Sequence, residues 1–113
     1  MSQTRKTFFA ATVDPAAATA ILLNTLMAAN GWAETDSHEG VQCMVKPSAE
    51  TVYLGYDENV RDAAGVGVYQ GFPLEVGETV NIAEYFAGGL VDPNNIWFYT
   101  AAGEVFGVIF KGL

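Results

Sequence analysis

Nucleophilic chemistry in this chain would have to come from His38 and Cys43, the only histidine and the only thiol. A thiol nucleophile needs a base within hydrogen-bond reach and a third group to orient that base. His38 and Cys43 sit five residues apart across Gly40. Catalytic pairs usually join segments that are distant in sequence, so a loop histidine and a small buried strand residue are the better expectation. Glu34, Asp36 and His38 alternate and would face one side of an extended loop, with Glu39 beside them. The loop lacks the ligand order of a calcium-binding loop, and one histidine is thin for zinc; a solvated acidic loop is expected. Asp57, Glu58 and Asp62 surround Arg61. A glycosidase would need two carboxylates about 5–10 Å apart in a cleft, and sequence neighbours in a charged turn do not imply that. Gly65-Val66-Gly67 lacks the third glycine and the following helix of a dinucleotide fingerprint. The expectation is no catalytic residue, no metal and no cofactor.

A second constellation is aromatic. Trp97, Phe98, Tyr99 and Phe106, with Tyr53, Tyr56 and Tyr69, could line a sugar-binding face or anchor an interface. Strand propensity alone also places aromatics in sheets, and sandwich core with strand-edge tyrosines is the plainer reading.

The elements that must carry these residues follow from charge and glycine placement. The chain has 113 residues, enough for one domain over residues 1–113. It holds 13 Asp and Glu against 5 Lys and Arg, a net charge of −8, yet hydrophobic residues make up 50%. That hydrophobicity excludes disorder, and the acidic balance argues against a nucleic-acid partner, which requires a basic stripe. A single cysteine excludes an internal disulfide and fits a reducing compartment. The apolar run after Arg5 and Lys6 covers only residues 8–11, shorter than the roughly 7–15 residues of a secretory core. The uncharged stretch over residues 15–33 is rich in alanine and carries four polar residues, too weakly apolar for a membrane span.

Only Gly31 of the 12 glycines precedes Gly40. Asp14 as N-cap, Pro15 at the first helical position, an alanine-rich run and Asn30-Gly31 predict one α-helix over about residues 15–30. This helix has no charged face, so Ala17, Ile21, Leu22 and Met27 become candidate interface residues. After Gly40, short apolar runs alternate with turn signals, and residues 6–13 supply a further run before the helix. The spacing predicts a mainly β fold, an antiparallel β-sandwich or barrel with the N-terminal helix. Residues 96–99 and 104–111 read as a hairpin around Ala102-Gly103, with both faces of the last strand against apolar neighbours.

Roughly half of the chain resembles a known pattern. Val52-Tyr53-Leu54-Gly55 is followed by Gly71-Phe72-Pro73-Leu74-Glu75-Val76-Gly77-Glu78 and a strand, then by Ile96-Trp97-Phe98-Tyr99, a small-residue turn and a final strand. This resembles small virion structural proteins of tailed bacteriophages. The resemblance implies a scaffold that decorates or cements a capsid and resides in the virion after assembly in the host cytoplasm. It implies the major capsid protein or other virion proteins as partners. Physically, Gly71 and Gly77 bracket a bend that directs Leu74 inward. Self-association, with a trimer suited to local three-fold positions, would cover the uncharged helix and the strand aromatics Trp97 and Tyr99. A fibre or tail-tip module recognising host carbohydrate is the alternative. A small enzyme using Cys43 and His38 ranks below both.

Overall fold

Alternating apolar residues build two four-stranded sheets whose inner faces share one core. A computed structural model describes residues 7–32 and 39–113. The first sheet has the order β1-β10-β3-β8, with β1 Phe8–Val13, β3 Gly40–Pro47, β8 Val80–Asn81 and β10 Phe106–Gly112. The second has the order β2-β9-β4-β7, with β2 Ile21–Leu22, β4 Val52–Gly55, β7 Phe72–Leu74 and β9 Trp97–Tyr99. Every pairing in these two sheets is antiparallel. A small parallel pair, β5 Val60–Arg61 and β6 Tyr69–Gln70, hangs off the second sheet. The fold is mainly β and sandwich-like, with no closed barrel.

Period-2 burial explains which residues face the core. Phe106, Val108 and Phe110 of β10 point inward beside Val13, Cys43 and Val45, while Val52, Leu54, Leu74 and Phe98 answer from the second sheet. Trp32 seals one end, meeting Phe9 and Phe110 edge-on at 6.0 and 5.5 Å. Asn81 joins the connection to the sheet. Its Oδ1 accepts from the Cys43 N–H (3.1 Å) and from the Ala83 N–H (3.2 Å), which caps the short 3-10 helix Ile82–Tyr85.

Three expectations change. The helix is α1, Leu23–Ala28, and not the span over about residues 15–30. Its C-terminal end lies where Asn30-Gly31 placed it: the Asn30 and Gly31 N–H groups bond to the Met27 and Ala28 carbonyls, and Gly31 has φ +94°. Its first turns are missing because the segment pairs elsewhere. The Ala18, Leu23 and Asn24 N–H groups donate to the carbonyls of Thr100, Ile96 and Pro93, and Ile21–Leu22 pairs with β9. Pairing with the neighbouring strand overrides the helix propensity of the alanines, even with Ala18 held at φ +51°.

The second change concerns the C-terminal hairpin, which does not form. β9 pairs with β2 and β4, whereas β10 pairs with β1 and β3, so residues 100–105 cross from one sheet to the other. Glu50 pins this crossover, accepting from the Ala102 N–H (2.9 Å) and the Glu104 N–H (2.7 Å). Gly103, at φ +74°, lies where an added Cβ would come within 2.8 Å of the Ala17 nitrogen; the crossover and residues 17–18 pack backbone to backbone there. The last strand is also simpler in phase than expected, since Ile109 and Val105 are exposed while the three residues 106, 108 and 110 are buried.

Candidate binding groove

Cys43 points into the core from β3. Burial pushes its thiol up to about 12, so it stays protonated at neutral pH, whereas the reactive species is the thiolate. His38, Glu34 and Asp36 lie outside the described residues, so the proposed pairing with His38 does too. Among the described residues no group of three His, Cys, Asp or Glu side chains is placed to hold a metal ion, and no helix is long and apolar enough to cross a membrane.

The thiol's environment has a measurable consequence. An unfolded thiol ionises near its ordinary value of 9.0 and the folded one near 12. The unfolded state therefore loses its proton first, and stability contributed by the buried neutral thiol is present below pH 9.0 and falls as pH rises toward about 12. Denaturant titrations across this window should show wild type losing stability more steeply than Cys43→Ala. Equal slopes for the two proteins would contradict the burial of the thiol.

The candidate interface residues divide by burial. Met27 is fully buried on the core side of α1, and Tyr99 is buried as well, with the Arg61 guanidinium 5.6 Å from its ring centroid. Neither presents a surface to a partner, because both complete the packing of this chain. Ile21, Leu22 and Trp97 are half-buried and adjacent, with Leu22 opposite Trp97 and Ile21 opposite Phe98 across β2 and β9. Ala17 is exposed in the turn at residues 17–18 that lies where the first helical turns were expected. Of the sugar-face candidates, Phe98 and Phe106 are core residues that meet edge-on at 5.4 Å.

The exposed aromatics lie elsewhere. Val52 and Leu74 are opposite one another and buried; two residues along, Leu54 and Phe72 are opposite one another on the same face. Phe72 is 55% exposed, so the inner face of the second sheet runs on past the end of the core. There it becomes a groove of about 300 Å³ lined by Leu54, Gly55, Tyr56, Phe72, Tyr85 and Phe86. The lining is almost wholly apolar.

Local chemistry holds these rings outward. The Tyr69 hydroxyl accepts from the Tyr56 N–H (2.8 Å) and the Asp57 N–H (3.0 Å), and the Tyr56 ring stacks on Tyr69 with centroids 4.4 Å apart and planes within 8°. Burial raises the pKa of that hydroxyl above its ordinary value, which keeps it protonated. Asp57 Oδ1 accepts from the Asn59 N–H at 2.8 Å, closing the turn. Arg61 braces it from below, donating to the Glu58 carbonyl at 2.9 Å and to the Val60 carbonyl at 2.6 Å. Across the groove Phe72 meets Tyr85 edge-on at 5.4 Å. Tyr56 is 72% and Tyr85 51% exposed. Ring contacts of this kind hold aromatics in place without covering them.

Sequence reasoning named Tyr56 and Tyr69 among the aromatic candidates, but not Phe72, Tyr85 or Phe86 as their neighbours. Tyr85 and Phe86 arrive through the 3-10 turn after β8, which follows no strand or helix periodicity. Compared with protein-family models, with curated proteins and with solved structures, the chain matches none.

Proposed function

We propose that this protein is a non-enzymatic virion structural protein of a tailed bacteriophage that decorates or cements the capsid, binding the shell and itself, with a trimer favoured. The observation that carries this reading is the aromatic groove: three exposed rings held by their neighbours on a small acidic β-sandwich. Exposed aromatics in a fixed arrangement are typical anchors of protein interfaces. The glycine-bracketed segment that resembles virion proteins supports it further. Leu74 is buried as expected, although Phe72–Leu74 is the strand β7 paired with β4 and the bend comes after it, at residues 75–78. The Gly77 N–H donates to the Pro47 carbonyl at 3.0 Å, tying the bend to the first sheet.

Co-sedimentation with assembled capsids tests this function. Saturable binding to capsids, together with an oligomer in sedimentation velocity, is the expected result. A protein that stays monomeric and leaves capsids bare would remove the proposal.

The alternative, a fibre or tail-tip module for host carbohydrate, draws on the same exposed rings, since sugars stack their C–H faces on aromatics. The nearly apolar lining offers few groups for sugar hydroxyls, which favours a protein partner. Specific hits on a glycan array, lost in Tyr56→Ala, would reverse that preference.

A further inference from the structure

The outer face of the first sheet carries a charge opposite to that of the whole chain. An apolar row, Ala10–Ile109–Met44, runs across β1, β10 and β3. Lys111 lies in the row on one side, next to Phe8, and Lys46 in the row on the other. Phe8 is 62% and Ile109 42% exposed. None of the four strands of this sheet contains Asp or Glu; the nearest carboxylates in sequence, Asp14, Glu39, Glu78 and Glu104, fall in the connections. A protein of net charge −8 thus has a sheet whose strands hold two lysines and no carboxylate. That face is hollowed by about 260 Å³ where Met44, Lys46 and Ile109 meet.

The aromatic groove has the inverse character. Tyr56 and Tyr85 are followed or preceded in the chain by Asp57, Glu58 and Glu84, and no basic residue lines the groove. The nearby Arg61 is engaged with backbone carbonyls of its own turn.

We infer that the groove of one copy docks onto the outer face of the first sheet of a second copy. Tyr56, Phe72 and Tyr85 would cover the Ala10–Ile109–Met44 row, and Lys46 and Lys111 would face the carboxylates of the rim. The inference rests on the self-association in the proposed function and names its surfaces. Charge complementarity selects this occupant. Pairing either patch with itself across a two-fold axis sets like charges together, which is repulsive. A contact between two different patches is heterologous, and it gives a ring such as a trimer where the rotation from copy to copy closes.

The test uses the full chain in sedimentation experiments over a concentration series. K46E with K111E, and separately E58K with E84K, reverse the charge of one patch each at exposed positions. Each pair is expected to weaken association by roughly tenfold or more, because like charges then face one another. The chain carrying all four substitutions restores opposite charges and should assemble to within a few-fold of wild type. F72A should weaken assembly without changing its response to salt. Circular dichroism and thermal melts confirm that each variant is folded. If either pair leaves assembly unchanged, or the four-substitution chain assembles no better than the pairs, this contact is wrong while self-association through another surface stands. A wild-type protein that is monomeric and leaves capsids bare removes the proposed function and the contact together.

Discussion

Phe98→Ala is expected to cost about 3–5 kcal/mol of folding stability, the range for deleting a fully buried aromatic ring. Phe98 is fully buried in β9 and meets Phe106 of β10 at 5.4 Å. Those strands belong to different sheets, so the pair ties the two layers together at the crossover over residues 100–105. Alanine would leave a cavity that Leu54, opposite Phe98 in β4, cannot fill without breaking register. Domains of this size are stable by only about 5–15 kcal/mol, so a loss of this order approaches unfolding. Urea denaturation followed by the fluorescence of buried Trp32 reads the effect. Val66→Ala serves as the control, because Val66 is fully exposed and should change the midpoint little. A Phe98 variant that unfolds at the wild-type midpoint would mean that the two layers are not joined through this pair.

Gly55→Ala is the second large expected effect, and it acts on the groove. An added Cβ would come within 2.4 Å of Val60 Cβ and 2.6 Å of the Tyr69 hydroxyl. Val60 is fully buried and cannot swing aside, and the Tyr69 hydroxyl is the acceptor for the Tyr56 and Asp57 N–H groups. Overpacking of this kind costs about 1–3 kcal/mol. The less crowded escape is to push Tyr69 outward, which breaks both hydrogen bonds and the Tyr56 stack. The expected outcome is a lower unfolding midpoint together with shifted ring resonances of Tyr56 and Tyr69 in the folded protein. Unshifted rings would show that the groove wall does not depend on Gly55.

Both effects arise at places that differ in how far the sequence foretold them. Gly55 ends a strand recognisable from Val52-Tyr53-Leu54, and a glycine before a charged turn is an ordinary turn signal. That its neighbours would be Val60 and the Tyr69 hydroxyl depends on β5 and β6 folding back in parallel, which two-residue strands do not announce. Leu74 was legible as an inward residue, and so was Cys43 as a small buried one. The groove was legible only in part. Tyr56, Tyr69 and Phe72 sit in or beside strands, but Tyr85 reaches Phe72 through an irregular turn. The assignment of Met27 and Tyr99 to an interface failed because an uncharged segment looks the same whether its own fold or another copy covers it.

By itself the sequence determined the material of the fold: acidic turns, apolar runs with period 2, an end of helix at Asn30-Gly31, and a chain short on charge in its ordered elements. These are local properties, set by side-chain chemistry and backbone preference. The start of the helix and the partners of β9 and β10 were decided by tertiary contacts. An alanine-rich segment led by Asp14-Pro15 has every local reason to be helical. It becomes a strand partner because the Ala18, Leu23 and Asn24 amides find carbonyls beside the neighbouring strand β9, and Ile21 and Leu22 find Phe98 and Trp97. A hairpin around Ala102-Gly103 was equally reasonable locally. It gives way because β9 finds its partners in β2 and β4 and β10 in β1 and β3, so that Phe98 and Phe106 meet across the shared core and both leave water.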